Sequence, residues 1–457
     1  MESKWEKVRL GDICTIRRGS SPRPIVDFIT DQGMPWVKIA DATESDSKII
    51  KSTKQFLKEE GICKSVIVEK GDLILSNSGT AGLPKFMGIT ACIHDGWQVF
   101  RDLNGITSQF LYYSLLHIRA NLLHGAYDST MKNLTLDMVR DSEIQLPSIA
   151  EQNAITHVLC TLDEKMELSR NINQTLDSIG EVLFKSWFVD FDPVIDNALA
   201  AGVQVKGFPT SLQIRAQIRE RVRNSEDYQP LPDEILNLFP SEFVESELGW
   251  VPKGWQVSNI GETCSHIIDH RGKTPKKLGG DWADEGFSAI SAKNIKRNQI
   301  VRPDTIRYVD KELYQQWMKV PLQPKDILMT SEAPMGEMFF LADKADYLLS
   351  QRLYGMRADE EKTTGEFLNY WLQTATARAD LEGRATGTTV TGIRQVELKK
   401  VAVLLPELAI SNKFSELIGQ YLLQKEYNNA QITSLEETRD YLLPNLISGK
   451  VQLGKVS

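Results

Sequence analysis

The amino-acid sequence contains one long unit twice. Segments recur in the same order: WEKVRLGD (5–12) and WQVSNIGE (255–262), FLYY (110–113) and FLNY (367–370), and Leu146-Pro147 and Leu405-Pro406. The spacing between copies changes only from 250 residues at Trp5 to 259 residues at Leu146, so the differences lie in loops. A period this long is too large for a solenoid repeat, and each copy is therefore a whole domain followed by a helix.

Each copy has the pattern of a mixed α+β domain. In the first copy, β-like runs at 36–39, 66–68 and 73–75 alternate with Gly, Pro, Ser and Asp, and a helical stretch follows at 108–123. The domains are predicted at 1–147 and 255–406. We expect the repeated aromatic residues and glycines to form cores and turns: Trp5, Trp36, Phe110, Tyr113, Gly11, Gly82 and their copies.

A long heptad pattern follows each Leu-Pro, which predicts helices at 148–190 and 407–450. The first seam is Ile155, Leu159, Leu162, Met166, Ser169, Asn173, Leu176, Gly180, Leu183 and Trp187. The second is Phe414, Ile418, Tyr421, Lys425, Asn428, Ile432, Leu435, Arg439, Leu442 and Leu446. Polar residues inside an apolar seam are typical of a coiled coil with a specified register. Matched length and position favour antiparallel pairing of the two helices; the alternative is that each packs on its own domain.

The segment 191–254 has no counterpart in the second copy, after which only a short tail at 451–457 remains. This linker contains a basic helical patch formed by Arg215, Arg219, Arg221 and Arg223. Two interpretations stay open for the patch, contact with DNA phosphate or a solvated helix face.

Charge and cysteine usage restrict the class of protein. The net charge is −8, but residues 1–150 carry 18 basic and 18 acidic side chains, and residues 251–400 carry 22 and 20. The repeated domains are therefore neutral to slightly basic, and the acidity lies in the helices and the linker. Five scattered cysteines argue against disulfides and structural zinc. With no visible signal peptide or membrane span, we expect a cytoplasmic protein with no membrane partner.

A duplicated unit is suited to two similar contacts with an elongated, quasi-symmetric partner, and double-stranded DNA is the leading candidate. Three segments resemble Type I restriction-modification specificity subunits: LPSIAEQNAI (146–155) with the helix after it, GWVPKGW (249–255) and LPNLISGKV (443–451). The resemblance covers nearly the whole chain. One difference is that Glu151-Gln152 follows the first Leu-Pro, whereas the second copy has Ile410-Ser411.

The resemblance implies a fold and a set of partners. It implies two target recognition domains separated by two long helices that pair as an antiparallel coiled coil, with a pseudo-twofold internal repeat. Each domain reads one part of a bipartite DNA target. The implied partners are methyltransferase subunits, two in number and docking on the helices, and restriction/translocase subunits. S-adenosylmethionine, ATP and Mg²⁺ are implied for those subunits, and none is expected on this chain.

Motifs that carry catalysis are not found in the sequence. An adenine methyltransferase needs an N/D-P-P-Y type loop and a Gly-rich cofactor turn, and Asp192-Pro193-Val194 is the nearest approach to the loop. Glycine-rich phosphate loops and metal-ligand spacings of histidine are also missing. We therefore expect a non-catalytic DNA-recognition subunit that directs methylation and restriction by its partners. The alternatives are a self-contained DNA-modifying enzyme and a coiled-coil protein scaffold.

Residues that read DNA are predicted in the loops rich in Arg, Lys, Asn and hydroxyl side chains. In the first domain these are Arg17, Arg18, Arg23, Asn77, Ser78, Lys85, Thr130 and Lys132. In the second they are Arg271, Lys273, Lys276, Lys277, Lys296, Arg297, Thr330, Arg384, Thr388, Thr389 and Arg394. Arg271 and Arg384 are the leading candidates for base contact, and Lys276 and Lys277 for phosphate contact. No catalytic or metal-binding residue is predicted.

Overall fold

The computed structural model describes residues 5–43, 47–127, 133–270, 272–344, 346–387 and 390–453. These residues form two compact units. The first comprises the described residues up to Asn171 together with those from Ala430 onward, and the second is Ile172–Asn429. The sequence predicts a helix after each domain, but in the structure each unit includes part of both long helices.

The first unit contains two five-stranded sheets and one two-stranded sheet. Its strands are β1 (Glu6–Arg9), β2 (Thr15–Arg18), β3 (Ile29–Thr30), β4 (Met34–Val37), β5 (Ile49–Ile50), β6 (Gln55–Leu57), β7 (Val66–Val68), β8 (Leu73–Ser76), β9 (Pro84–Met87), β10 (Ala91–Ile93), β11 (Trp97–Arg101) and β12 (Glu143–Leu146). The sheet orders are β2-β11-β8-β9-β5, β3-β6-β4-β10-β7 and β1-β12. Strand β4 pairs with β10 in parallel, and the remaining contacts within that sheet are antiparallel.

The first unit also contains helices. They are α1 (Leu10–Ile13), α2 (Ile39–Thr43), α3 (Glu59–Ile62), α4 (Ser108–Tyr127), α5 (Leu136–Arg140) and the beginning of α6 (Ile149–Phe184). The core confirms the predicted role of the repeated aromatic residues, since Trp36, Phe110 and Tyr113 are all buried. Gly82 adopts a positive φ of 71°, as a turn glycine does.

The second unit contains the linker and has a related arrangement of sheets. Its strands are β13 (Phe243–Ser246), β14 (Gly249–Pro252), β15 (Gln256–Asn259), β16 (Cys264–Asp269), β17 (Phe287–Ile290), β18 (Ile295–Lys296), β19 (Gln299–Ile300), β20 (Arg307–Val309), β21 (Ile327–Thr330), β22 (Met338–Phe340), β23 (Leu348–Leu349), β24 (Leu353–Ala358) and β25 (Ala402–Leu405). Its main sheets have the orders β16-β24-β21-β22 and β20-β17-β23, and β15 pairs with β25 as β1 pairs with β12.

The helices of the second unit include those of the linker. They are α7 (Asp192–Ala200), α8 (Thr210–Arg223), α9 (Asp233–Leu236), α10 (Ile260–Thr263), α11 (Lys311–Trp317), α12 (Gly365–Trp371), α13 (Ala375–Gly383), α14 (Gln395–Leu398) and the beginning of α15 (Leu408–Ile447). Phe367 and Tyr370 are buried, like Phe110 and Tyr113, whereas Trp255 is buried and its counterpart Trp5 is partly buried against the first core. Among the described residues, no helix has the length and apolar character needed to cross a membrane.

Equivalent side chains hold equivalent turns in the two units. The Ser76 hydroxyl, at the end of β8, accepts a hydrogen bond from the Leu83 N–H at 2.8 Å. The Thr330 hydroxyl, at the end of β21, accepts one from the Glu337 N–H at 2.9 Å. Both hydroxyls also donate to a carbonyl four residues further along the chain. The internal repeat therefore extends from the sequence to individual hydrogen bonds.

The long helices run antiparallel to each other within each unit. In the first unit, Arg439 lies 3.4 Å from Asp163, and Ser169 donates to Gln431 at 3.3 Å. In the second unit, Asn428 donates to Asn173 at 2.7 Å, and Lys425 pairs with Asp177. Antiparallel pairing, predicted from the heptad pattern, is confirmed.

The polar positions of the seam are buried and hydrogen-bonded. Asn173, Lys425 and Asn428 are at most 8% exposed. Buried amides that pair with each other penalise a shifted register, because any other register leaves them unsatisfied. One predicted seam residue is wrong: Tyr421 is exposed, and Leu422 packs into the core in its place.

The first helix is attached to its domain through Gln152. Its side chain donates to the Gly105 carbonyl at 2.8 Å and to the Pro147 carbonyl at 3.0 Å, and it accepts from the Thr107 N–H at 2.8 Å. In the second copy, Ser411 is also buried, and its hydroxyl donates to the Leu408 carbonyl of its own helix at 3.1 Å. The difference between Gln152 and Ser411 therefore changes the hydrogen bonds made at the start of each long helix.

Both interpretations of the arginine patch are wrong for its first two members, Arg215 and Arg219. Arg215 forms a bidentate pair with Asp192 at 2.7 and 2.6 Å, and Arg219 forms one with Asp196. Both carboxylates are buried. The patch therefore fastens α8 to α7, and only Arg221 has the exposed position expected of a solvated face.

We expect Arg219→Ala to lower the free energy of unfolding by about 2 kcal/mol, because it leaves the buried Asp196 carboxylate short of its main partner. Tyr228 still donates to Asp196 at 3.2 Å, which limits the loss. Urea denaturation of the full chain measures the change. Arg221→Ala on the same helix is the matched control and should stay within about 0.5 kcal/mol. Equal losses in the two variants would contradict this assignment.

Candidate nucleic-acid interface

In the first domain, the predicted recognition loops meet at Asp95, in the turn between β10 and β11. The Arg18 side chain and the Asn77 amide both donate to the Asp95 carbonyl, at 2.8 and 3.0 Å. Ser21 donates to the carboxylate at 2.7 Å, and Arg23 lies 3.4 Å from its other oxygen. Loops that are far apart in sequence are thus fixed around one acidic residue.

His94 completes the first-domain site. Its Nδ1 accepts the Gly96 N–H at 2.8 Å, so the ring proton is on Nε2, which lies 3.0 Å from the Asp95 carboxylate. Burial lowers the pKa of His94, and this outweighs the attraction of Asp95. His94 is therefore a neutral donor at physiological pH. The Asp95 carboxylate is 30% exposed, so it remains accessible from solvent.

Other predicted residues of the first domain differ in accessibility. Arg17 and Arg23 are exposed, and Ser78 is half-buried beside Gly96. Thr130 and Lys132 lie outside the described residues. The Leu134 N–H, in the described residues, donates to the Asn77 carbonyl at 2.9 Å.

Direct base contact does not fit three of the predicted residues. Asn77, Lys85 and Thr330 are at most 5% exposed. Asn77 bonds to Asp95, Lys85 donates to the Ser47 carbonyl, and Thr330 holds its own turn. These side chains satisfy backbone groups inside the domain, so their role is to shape the loops that carry exposed residues.

The second domain presents its loops on the same framework. In the first domain the Asn77 N–H donates to the Gly96 carbonyl at 2.8 Å, and in the second the Ser331 N–H donates to the Arg352 carbonyl at 2.9 Å. The Ile393 N–H donates to the Ser331 carbonyl at 2.9 Å, as the Leu134 N–H does to Asn77. The turn at Asp95 therefore corresponds to the turn at Gln351.

A basic pocket of about 650 Å³ lies beside Gln351. Its cationic lining residues are Lys273, Lys276, Lys293 and Arg307, against one carboxylate, Asp281. The Arg307 guanidinium lies 5.1 Å from the Trp282 ring centre, and Trp317 also lines the pocket. A concave surface with excess positive charge and aromatic walls suits a nucleic-acid backbone and its bases.

The remaining predicted residues of the second domain are dispersed. Lys277 is exposed on the 3₁₀ turn Lys276–Leu278, and its ammonium donates to the Gly272 carbonyl at 2.8 Å. Lys296 and Arg297 are exposed, and Arg394 is exposed at the start of α14. Arg384 is half-buried and pairs with Asp380 at 2.7 Å, so base contact would require breaking that pair. Arg271, Thr388 and Thr389 lie outside the described residues.

Sequence reasoning did not single out Asp95, Gln351 or Arg307, and from the basic element 293–299 it selected Lys296 and Arg297 but not Lys293. Asp95, Gln351 and Arg307 lie outside the Arg-rich and Lys-rich loops, so composition alone does not point to them. A signal was available at Asp95, since it lies between His94 and Gly96 in a turn.

His270, buried at the end of β16, predicts a specific pH dependence. Burial lowers its pKa to about 4, and Lys273 adds to this, whereas an unfolded histidine titrates near 6.5. Between these values the unfolded chain binds a proton that the folded protein does not, so stability falls as pH decreases from about 6.5 to 4. We expect His270→Gln to flatten the dependence of Tm on pH in this window. Exposed His124→Gln is the control, and parallel curves for wild type and His270→Gln would contradict the prediction.

Comparisons with known proteins give similarity over nearly the whole chain. The model of the Type I restriction modification DNA specificity domain matches twice, at residues 2–178 and 252–437. The Type I restriction enzyme HindI specificity subunit of Haemophilus influenzae is 25% identical over 372 residues, which cover 77% of this chain and 79% of that protein. The MjaIX specificity subunit of Methanocaldococcus jannaschii is 21% identical over 467 residues, covering 98% and 94%.

A solved structure resembles the fold. The Type-I restriction-modification S subunit from M. genitalium superposes with a TM-score of 0.57 at 12% identity, covering 97% of this chain and 96% of that one.

Proposed function

Since this chain belongs to the Type I restriction modification DNA specificity family, we propose that it recognises a bipartite DNA target, with one half-site read by each domain. The observation that carries the proposal is the shared framework of the two recognition sites. The turns at Asp95 and Gln351 are held by the same backbone hydrogen bonds but carry different side chains. Two such domains read two different short sequences from similar positions.

The proposal includes the assembly in which recognition takes effect. The relatives are named specificity subunits of Type I restriction enzymes. We propose that this chain likewise joins two methyltransferase subunits and the restriction/translocase subunits, and directs adenine methylation and restriction by them. S-adenosylmethionine, ATP and Mg²⁺ belong to those partners in this proposal.

The structural role of Asp192-Pro193-Val194, the segment most similar to a methyltransferase catalytic loop, supports a non-catalytic function. Asp192-Pro193 begins α7, and the Asp192 carboxylate accepts hydrogen bonds from Ser186 and Arg215. It is 4% exposed. A carboxylate used in this way fastens two helices and leaves no room for a substrate base. Binding of S-adenosylmethionine by the isolated chain would favour the rival proposal of a self-contained enzyme.

The test is a genome-wide adenine-methylation map of the host with and without this gene. Loss of one split motif, two short half-sites around a fixed gap, is the expected result. It would supply the target sequence at the same time. An unchanged map in a host that methylates adenine would contradict the proposal, and the absence of salt-dependent DNA binding would favour a protein scaffold.

The basic pocket gives a second measurable expectation. We expect the triple substitution Lys276→Ala, Lys293→Ala and Arg307→Ala to weaken DNA binding by the assembled complex for all sequences alike. The slope of log K against log salt should fall by about one for each cation that contacts phosphate. The matched control removes three exposed cations elsewhere, Lys206, Arg221 and Lys311. Equal effects of the two triple variants would show that the pocket is not a DNA contact.

A further inference from the structure

The turns at Asp95 and Gln351 occupy the same place in the two domains and differ in chemistry. Each precedes the residue whose carbonyl accepts the framework hydrogen bond, Gly96 in the first domain and Arg352 in the second. The backbone fixes this position in both domains, but the side chain is a carboxylate in one and an amide in the other. Two otherwise similar domains can therefore differ at this position in the base that they recognise.

Asp95 is held rigidly from both sides. Its carbonyl accepts hydrogen bonds from Arg18 and Asn77, and its carboxylate accepts from Ser21 and His94. Its loop is also tightly packed, since a Cβ on Gly19 would come within 2.2 Å of the His94 carbonyl oxygen. Such support fixes the direction of a partly exposed acceptor before DNA arrives, which reduces the entropy lost on binding.

The chemistry of Asp95 selects one class of base edge. An ionised carboxylate accepts hydrogen bonds and donates none. In the major groove the donors are the exocyclic amino groups of cytosine and adenine, whereas guanine presents acceptors. Arg23, 3.4 Å away, supplies a positive charge that offsets the repulsion between the carboxylate and DNA phosphate.

Gln351 has different hydrogen-bonding groups from Asp95, and it lies beside the basic pocket. Its side chain is exposed at the rim of the pocket lined by Lys273, Lys293 and Arg307. An amide both donates and accepts, which matches the N6 and N7 edge of adenine.

We propose that Asp95 and Gln351 are base-reading residues of the two recognition domains. Asp95 accepts a hydrogen bond from the exocyclic amino group of a cytosine or adenine in one half-site. Gln351 pairs with an adenine edge in the other half-site. The inference rests on the proposed function and adds to it which side chains discriminate between bases.

The test uses the full complex in its host. Strains that carry wild type, Asp95→Asn or Gln351→Glu in place of the gene are mapped for adenine methylation. We expect Asp95→Asn to reduce methylation at the original motif roughly tenfold or more and to change or relax one position of one half-site. Gln351→Glu should do the same in the other half-site, and the gap between the half-sites should stay constant.

Controls separate base reading from folding. Exposed Asp31→Asn makes the same chemical change elsewhere in the first domain and should leave the motif unchanged. Gln351 is exposed, so its substitution should leave Tm at the wild-type value. If Asp95→Asn lowers Tm, the methylation map of the Gln351→Glu strain still tests the inference, because it shows whether one half-site changes without a loss of stability.

Failure of the inference is distinguishable from failure of the proposed function. A wild-type map without a split motif would overturn both. A split motif that neither variant alters would overturn the inference alone. A uniform loss of methylation with every base preference retained would also overturn it, because that result assigns the two residues a structural role.

Discussion

Arg357→Met is expected to destabilise the second domain by about 3 kcal/mol. Arg357, on β24, donates to both oxygens of Asp326 at 2.8 Å, and the Asp326 side chain is fully buried. Methionine fills much of the space but leaves a buried carboxylate without its cation. The Gln323 N–H still donates to Asp326 at 2.8 Å, but a neutral donor compensates only part of the charge. Hydrogen exchange of amides in β24 reports the loss within this domain.

The first domain provides a matched control for this substitution. Arg101, on β11, pairs with Asp72 at 3.0 Å in the equivalent place, but these side chains are 36% and 23% exposed. Water screens this pair, so Arg101→Met should cost about 1 kcal/mol or less. The repeat thus offers the same ion pair at two degrees of burial. Equal losses in the two domains would contradict the view that burial determines the cost.

Lengthening both long helices by one heptad is expected to widen the gap between the two half-sites by about three base pairs. Seven helical residues add roughly 10 Å, and DNA rises about 3.4 Å per base pair. The insertions belong after Asn171 in α6 and before Ala430 in α15. There the contacts inside each unit, such as Arg439 with Asp163 and Asn428 with Asn173, remain intact. The methylation map measures the gap directly.

Insertion of the heptad into α6 alone is the control. It displaces one set of interhelical contacts by roughly 10 Å relative to the other, and the buried Asn173 and Lys425 would lose their partners. We expect loss of methylation at every site, with a lower Tm. A double insertion that leaves the gap unchanged would show that helix length does not determine it.

The duplication and the paired helices could be predicted from sequence because both rest on periodic patterns. Heptads specify which residues face a partner helix, and identical spacing in two copies predicts a common fold. The burial of Leu422 in place of the neighbouring Tyr421 could not be predicted in this way. Two adjacent apolar residues fit the pattern almost equally, and packing against the domain decides between them.

The accessibility of the predicted recognition residues could not be predicted from sequence, because composition does not report burial. Lys85 lies in a sequence typical of a polar loop, yet it belongs to β9 and points its ammonium at a backbone carbonyl. Asp192 and Asp196 are spaced by four residues, and so are Arg215 and Arg219. Equal spacing of opposite charges on two helices was the signal for their pairing, and reading the arginines alone missed it.

The core of the first unit contains Leu446 and Ile447, from the end of α15. All of the second unit, Ile172–Asn429, is therefore synthesised before the first can be completed. At about 5–20 residues per second, the intervening 258 residues take roughly 10 to 50 s to translate. During that time Ile155 and Leu159, which belong to the same core, cannot pack against Leu446 and Ile447, because these residues have not yet been synthesised. During synthesis, the first domain therefore exposes apolar core residues until α15 has been made. We expect a chain truncated before α15 to contain a first domain that depends on chaperones for solubility.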